Sequence, residues 1–203
     1  MKREQTMNAI KTALFTALSV LACSIAFASP QDAVNQIKVN SAEVLKILNK
    51  ENGSNAKAVR AEAEQYAIPY FDFELFTQRA LPTIYADAND EQKKQLVEKV
   101  KSRLINKYSA AMFQYKTAQI TVSNKTRSGK YKNVDFIFVS SRVLPTANAS
   151  KNDEVKIDYF TYQSGGKYRV FDVQVSNLLW SKIEGDAIKD IVNKSGIDGF
   201  LNQ

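Results

Sequence analysis

The chain has 203 residues and a formal net charge of +7, with 44% hydrophobic and 24% charged residues, enough to bury a sizeable core. It has no histidine and one cysteine, Cys23, which excludes histidine triads and histidine metal sites. No P-loop or dinucleotide-binding glycine pattern occurs, so the available chemistry is that of carboxylates or a Ser/Lys pair.

The first expected element is a leader. Lys2, Arg3 and Lys11 form a basic region, "TALFTALSVLA" (12–22) is apolar, and "AFA" (26–28) places small residues at −3 and −1 before Ser29. That is the pattern of a secretory signal peptide cleaved between Ala28 and Ser29, too short to span a bilayer. "VLAC" (20–23) is the rival reading, a loose lipoprotein box in which Cys23 is lipidated. Cleavage leaves 175 residues, 29–203, as one domain with neither disulfide nor thiol chemistry. The leader carries +2 of the charge, so the remainder is +5. That excess is spread along the chain and suits transient contact with anionic membrane surfaces or acidic partners. An exported chain without disulfides fits a bacterial periplasm and makes nucleic acid an unexpected partner. No later segment approaches the ~18 apolar residues of a membrane span.

A helical half follows. Ser29, Pro30 and Asp32 mark a helix start, and Val34, Ile37, Val44, Leu45 and Leu48 recur near helical spacing until Gly53. A second helix is expected from about 55 to 66. Pro69 breaks the chain, Asp72 caps a short helix carrying Phe73, Phe76 and Ala80, and Pro82 ends it. "YFDFELF" (70–76) puts four rings into this corner, serving either a tight core or a pocket for an apolar guest. "NDEQ" (89–92) reads as a capping box opening the longest helix, whose stripe is Leu96, Val100, Leu104, Tyr108, Met112 and Tyr115.

From Ala118 the period becomes two. "QITV" (119–122) and "NVDFIFVSSRV" (133–143) are expected strands around "NKTRSGK", and "EVKIDYFTYQ" (154–163) and "KYRVFDVQV" (167–175) flank an "SGG" hairpin. The expected fold is α+β: a twisted four-stranded antiparallel sheet packed with helices around an apolar cavity. A closing helix spans about 180–193, ends at Gly196, and "IDGFL" packs the terminus down. Both sheet faces are greasy, since Val134, Phe136 and Phe138 oppose Ile137 and Val139. One face is therefore expected under helices and the other partly sheltered.

Asp72, Asp135, Asp158 and Asp172 are the carboxylates nearest apolar residues. They could supply a glycosidase-type pair, but no spacing pairs them, and a helix cap plus polar strand positions is the plainer reading. Lys125, Arg127, Lys130 and Lys132 surround a strand connection. Such a cation-rich loop either meets phosphate head groups and membrane or is a solvated hairpin tip.

The order of motifs resembles the MlaC, or toluene-tolerance, family of Gram-negative phospholipid-binding proteins. "IPYFDFELFTQRAL" (68–81), "NDEQKKQL" (89–96), "RLINKYSAAM" (103–112), "DYFTYQSGGKYRVFDVQV" (158–175) and "GIDGFL" (196–201) carry it, over residues 31–203. Tyr85 and Tyr168 stand where the family has tryptophans, and "VSNLLWSKIEGDAI" departs from its pattern. The resemblance implies a periplasmic, non-enzymatic shuttle for glycerophospholipids that maintains outer-membrane lipid asymmetry. Its implied partners are a phospholipid, an inner-membrane MlaFEDB-type ABC transporter complex and an outer-membrane MlaA-type lipoprotein complex. It implies a monomer needing no cofactor. The implied tail-cavity wall is Phe73, Phe76, Leu81, Tyr85, Val100, Leu104, Tyr108, Met112, Val134, Phe136, Phe138, Ile157, Tyr159 and Phe171. Two readings compete: an interaction module with a filled core, and a small carboxylate hydrolase or isomerase.

Overall fold

A computed structural model describes residues 29–146 and 148–203; the expected leader, Cys23 and the residue before the Ala28–Ser29 cut lie outside the described residues. Helix α1 (Pro30–Leu48) begins where the Ser29 N–H donates to Asp32 Oδ2 at 2.7 Å, with proline in the first turn. Helix α2 (Ala56–Ala67) and a 3₁₀ turn (Ile68–Tyr70) lead to α3 (Phe73–Ala80). Asp72 caps α3 as expected, its Oδ1 accepting the Leu75 N–H at 2.9 Å.

Pro82 does more than stop a helix. It opens α4 (Pro82–Asp87), because its missing N–H costs nothing in a first turn. The capping box of α5 (Asp90–Met112) is reciprocal: Gln92 N–H donates to Asn89 Oδ1 at 2.9 Å, and Asn89 N–H to Gln92 Oε1 at 3.1 Å.

The sheet is antiparallel, in the order β1 (Gln119–Tyr131), β2 (Val134–Leu144), β3 (Val155–Ser164), β4 (Lys167–Val175), β5 (Leu178–Leu179). It has five strands, not the expected four. Ser176 (φ 47°) and Asn177 (φ 69°) both take left-handed conformations, which folds a two-residue hairpin and returns Leu178–Leu179 along β4. "NKTRSGK" is also not a loop. β1 runs straight through it, with a register shift between Val122 and Thr126, and the turn falls at Lys132 (φ 51°). Helix α6 (Trp180–Leu201) is interrupted at Gly196 (φ 73°), the expected end of its main body.

Helices cover both faces. Ala33, Val34 and Ile37 of α1 pack on Val139, Tyr168, Val170 and Val173. On the other face Leu75 of α3 packs on Phe136, Phe160 and Phe171. A bulge reconciles these sets: Phe160 pairs with Asp172 and Thr161 with Val170, so Phe171 is an extra residue. Val170 and Val173 therefore share a face while Phe171 turns to the opposite one. A third cluster joins α3, α5 and α6 through Phe76, Ala80, Leu96, Val100, Leu104, Ile188 and Phe200.

Gly185 of α6 allows the tightest of these contacts, because a Cβ there would run into the Ala80 carbonyl oxygen of α3. Backbone cannot swing aside as a side chain does. Gly185→Ala should lower stability by roughly 1–3 kcal/mol, read as a fall in the urea midpoint without a change in slope.

Candidate functional site

The fourteen expected wall residues do not form one surface. Phe76, Leu81, Val100 and Leu104 are buried in the helical cluster, and Phe73 and Tyr108 pack on it with part of their surface accessible. Val134, Phe136, Phe138 and Phe171 lie on the α3 face of the sheet, whereas Ile157 and Tyr159 lie on the α1 face. Met112 joins a separate cluster of Ile47, Leu48, Val59 and Ala63. Tyr85 stands on α4, its hydroxyl donating to Glu74 Oε1 at 3.1 Å.

The α3 face fills itself with rings. Phe136 sits 4.8 Å from Phe138, 5.4 Å from Phe160 and 5.3 Å from Phe171, centroid to centroid. Gly129 makes room for it: a Cβ there would come within 2.5 Å of the Phe136 ring, its cross-strand partner. The Arg79 guanidinium lies 4.9 Å from the Tyr131 centroid and 5.2 Å from that of Phe160. Its Nε donates to Asp172 at 2.7 Å. Asp172 is fully buried and also accepts the Ser181 hydroxyl at 2.6 Å. Burial pushes its carboxyl up against the opposing pull of Ser181 and Arg79.

The α1 face is packed differently. Val122, Ile137, Ile157, Tyr159 and Val175 pack against its buried cluster but keep part of their surface accessible. This face and the helical cluster meet at Phe71 and Trp180, each packed against both. The rings of "YFDFELF" build that seam: Phe71 lies 4.7 Å from Phe73 and 5.7 Å from Phe76. Trp180 stacks on Tyr108 at 4.2 Å. Burial pushes the Tyr159 hydroxyl above its ordinary pKa, against the opposing pull of Ser141 and Ser41. Ser41 also lines a groove of about 360 Å³, where Lys38, Ser41, Ala42 and Leu45 of α1 face Ile120, Thr121 and Val122 of β1. Sequence reasoning passed over it, although Ser41 is a polar gap in the stripe that runs from Val34 and Ile37 to Leu45.

Three of the four expected head-group cations, Lys125, Arg127 and Lys130, lie on the edge strand β1 rather than in a loop, and Lys132 sits in the turn that follows it. The guanidinium of Arg127 sits 4.6 Å from the ring of its cross-strand partner Phe138. Lys130 lies 3.7 Å from Asp135, and Lys132 Nζ is 3.4 Å from Gln78 Oε1. Strand alternation puts Arg127 and Lys130 on opposite faces. Together with exposed Lys125 they converge on no single pocket.

The carboxylates take structural positions. Asp72 caps α3, accepts the Tyr162 hydroxyl and pairs with Arg169 at 3.3 Å. Asp158 accepts the Ser140 hydroxyl and pairs with Lys156 at 2.9 Å. Asp72, Asp135, Asp158 and Asp172 share no hydrogen-bond or ion-pair partner with one another. Among the described residues no group of three or more His, Cys, Asp or Glu could hold a metal, and no helix is long and apolar enough to cross a membrane.

A buried acid that sequence reasoning did not single out stands beside the seam. Glu184 is enclosed and accepts from Arg103 at 2.8 Å, Lys107 at 2.5 Å and the Tyr108 hydroxyl at 3.0 Å. Burial raises its pKa, but these donors outweigh it and hold the carboxyl below the ordinary value of 4.5. A lowered folded-state pKa gives stability that is present above the unfolded value and lost as pH falls through the folded one. Glu184→Gln should therefore cost about 3 kcal/mol at neutral pH. In urea titrations across pH, the gap from the parent protein should narrow as pH falls below about 4.5.

Comparison with known proteins adds three findings. A family model described as "MlaC protein" matches residues 38–203. A solved structure, of a phospholipid-binding protein from Ralstonia solanacearum in complex with a phospholipid, has the same fold at a TM-score of 0.69 and 24% identity. The alignment covers 84% of this chain and 93% of that one. No curated protein matches.

Proposed function

Because this chain belongs to the MlaC family, we propose that it is a phospholipid carrier of the periplasm, exported by a signal peptide at residues 1–28. The acyl tails lie in an apolar interior between α1, the sheet and the α3–α5–α6 cluster. The observation that carries this reading is the seam at Phe71 and Trp180. Phe73 and Tyr108, packed on the helical cluster, and Ile157 and Tyr159, packed on the α1 face, are only partly buried. The phospholipid in the Ralstonia solanacearum protein of the same fold supports it further.

Each methylene moved from water into such an interior gains ~0.8 kcal/mol. Two tails thus give a large driving force that needs wall and no catalyst. Rings supply that wall with few rotamers to freeze. Asp72, Asp158 and Asp172 are tied to a cap and ion pairs, which supports binding rather than catalysis. Lipid leaves only when a partner or membrane competes for it: an MlaA-type lipoprotein complex at the outer membrane and an MlaFEDB-type transporter at the inner one. Lys125, Arg127 and Lys130 on β1 and Lys132 in the turn after it serve transient approach to anionic surfaces, and the carrier travels as a monomer.

Native mass spectrometry of the full chain produced in a Gram-negative bacterium should show the mass of a bound glycerophospholipid. Solvent extraction should remove it, and incubation with phospholipid vesicles should restore it. Protein that emerges empty and stays empty with vesicles would refute the carrier reading.

A further inference from the structure

The groove between α1 and β1 has a chemistry the interior lacks. Its seven lining residues combine one cation, two hydroxyl side chains and four apolar groups, with no carboxylate among them. Lys38 Nζ reaches across from α1 to Asn124 Oδ1 at 2.8 Å, so its ammonium is held by a neutral amide and its charge is not cancelled there. Asn124 stands two residues after Val122 of the α1-face cluster, in the stretch of β1 whose register shifts before Thr126. Ser41 lines the groove from α1, and on the α1 face of the sheet the Ser141 hydroxyl of β2 donates to the Tyr159 oxygen of β3 at 3.5 Å.

Val122 joins the two environments, lining the groove while packing with the apolar α1-face cluster. Along α1, Ala33, Val34 and Ile37 are buried against that cluster. Ser41 lies eight residues beyond Ala33, about 12 Å at 1.5 Å per residue. A groove of about 360 Å³ is at the small end of the ~300–1,000 Å³ range of ligand pockets. It suits a head group and its glycerol, not a whole two-tailed lipid.

We propose that this groove is the phosphate-reading mouth of the lipid interior, in which Lys38 and the hydroxyl of Ser41 bind the phosphodiester of an anionic glycerophospholipid. The inference rests on the carrier reading and fixes the ligand's direction: phosphate at the α1–β1 groove, tails running back towards Phe71 and Trp180. Leu45, Ile120 and Val122 flank the glycerol and the first methylenes. A charge-assisted contact of this kind contributes ~1.5–3 kcal/mol, which corresponds to at least about tenfold in uptake.

The test measures transfer of two tail-matched lipids from vesicles to the full-length protein: phosphatidylglycerol, and diacylglycerol, which lacks the phosphate. Lys38→Glu should cut phosphatidylglycerol uptake about tenfold or more and leave diacylglycerol uptake unchanged, with Ser41→Ala acting in the same direction more weakly. Lys46→Glu, an exposed change on the same helix outside the groove, should leave both unchanged. The proposal is overturned if Lys38→Glu lowers both lipids alike or neither, or if Lys46→Glu matches it, which would mean only general attraction to the vesicle. Glycerol 3-phosphate binding as tightly as the lipid would make the groove a soluble-phosphate site and overturn it too. Parent protein that takes up neither lipid would instead sink the carrier reading beneath it.

Discussion

A sheet that is apolar on both faces cannot leave either one wet, and most of this architecture follows from that constraint. Phe136, Phe160 and Phe171 point one way and Val139, Val170 and Val173 the other, so one layer of helices would not suffice. The chain spends α1 on one face and α3 on the other, and α5 and α6 complete the second layer behind α3. The bulge at Phe171 makes the double coverage possible, since without the extra residue β4 would send Val170 and Val173 to opposite faces.

The two faces then take different solutions. On the α3 side, rings meet rings, and Arg79 and Asp172 tie the helix to β4 and to the start of α6 through Ser181. That side is a bolted wall. On the α1 side the contacts are aliphatic rather than ring on ring, and polar groups stand among them at Ser141 and Tyr159.

Much of this was legible in the residues. Asp72 and the Asn89/Gln92 pair announce helix starts because short polar side chains satisfy free N–H groups, and "SGG" announces a hairpin because glycine accepts positive φ, here 60° and 76°. The failures share a cause: a local signal with two meanings. Pro82 ends one helix and begins the next. The polar run of β1 lacks alternation because an edge strand is half solvated. Ser176–Asn177 forms a turn with no glycine, where two L-residues accept positive φ because the hairpin holds them there. The fourteen expected wall residues scatter over four apolar clusters and α4. Sequence could not divide them between faces, because the bulge that sets the parity at Phe171 leaves no mark on composition. Glu184 escaped for a similar reason, since its three donors come from a helix about eighty residues away.

Trp180 is the chain's one tryptophan. It stacks on Tyr108 at the meeting of the α1 face and the helical cluster. The molecule thus carries a single native fluorophore, partly buried where two of its apolar clusters meet. Emission colour and quenching would report the polarity of that junction directly, turning a packing detail into an optical gauge of how full the protein is.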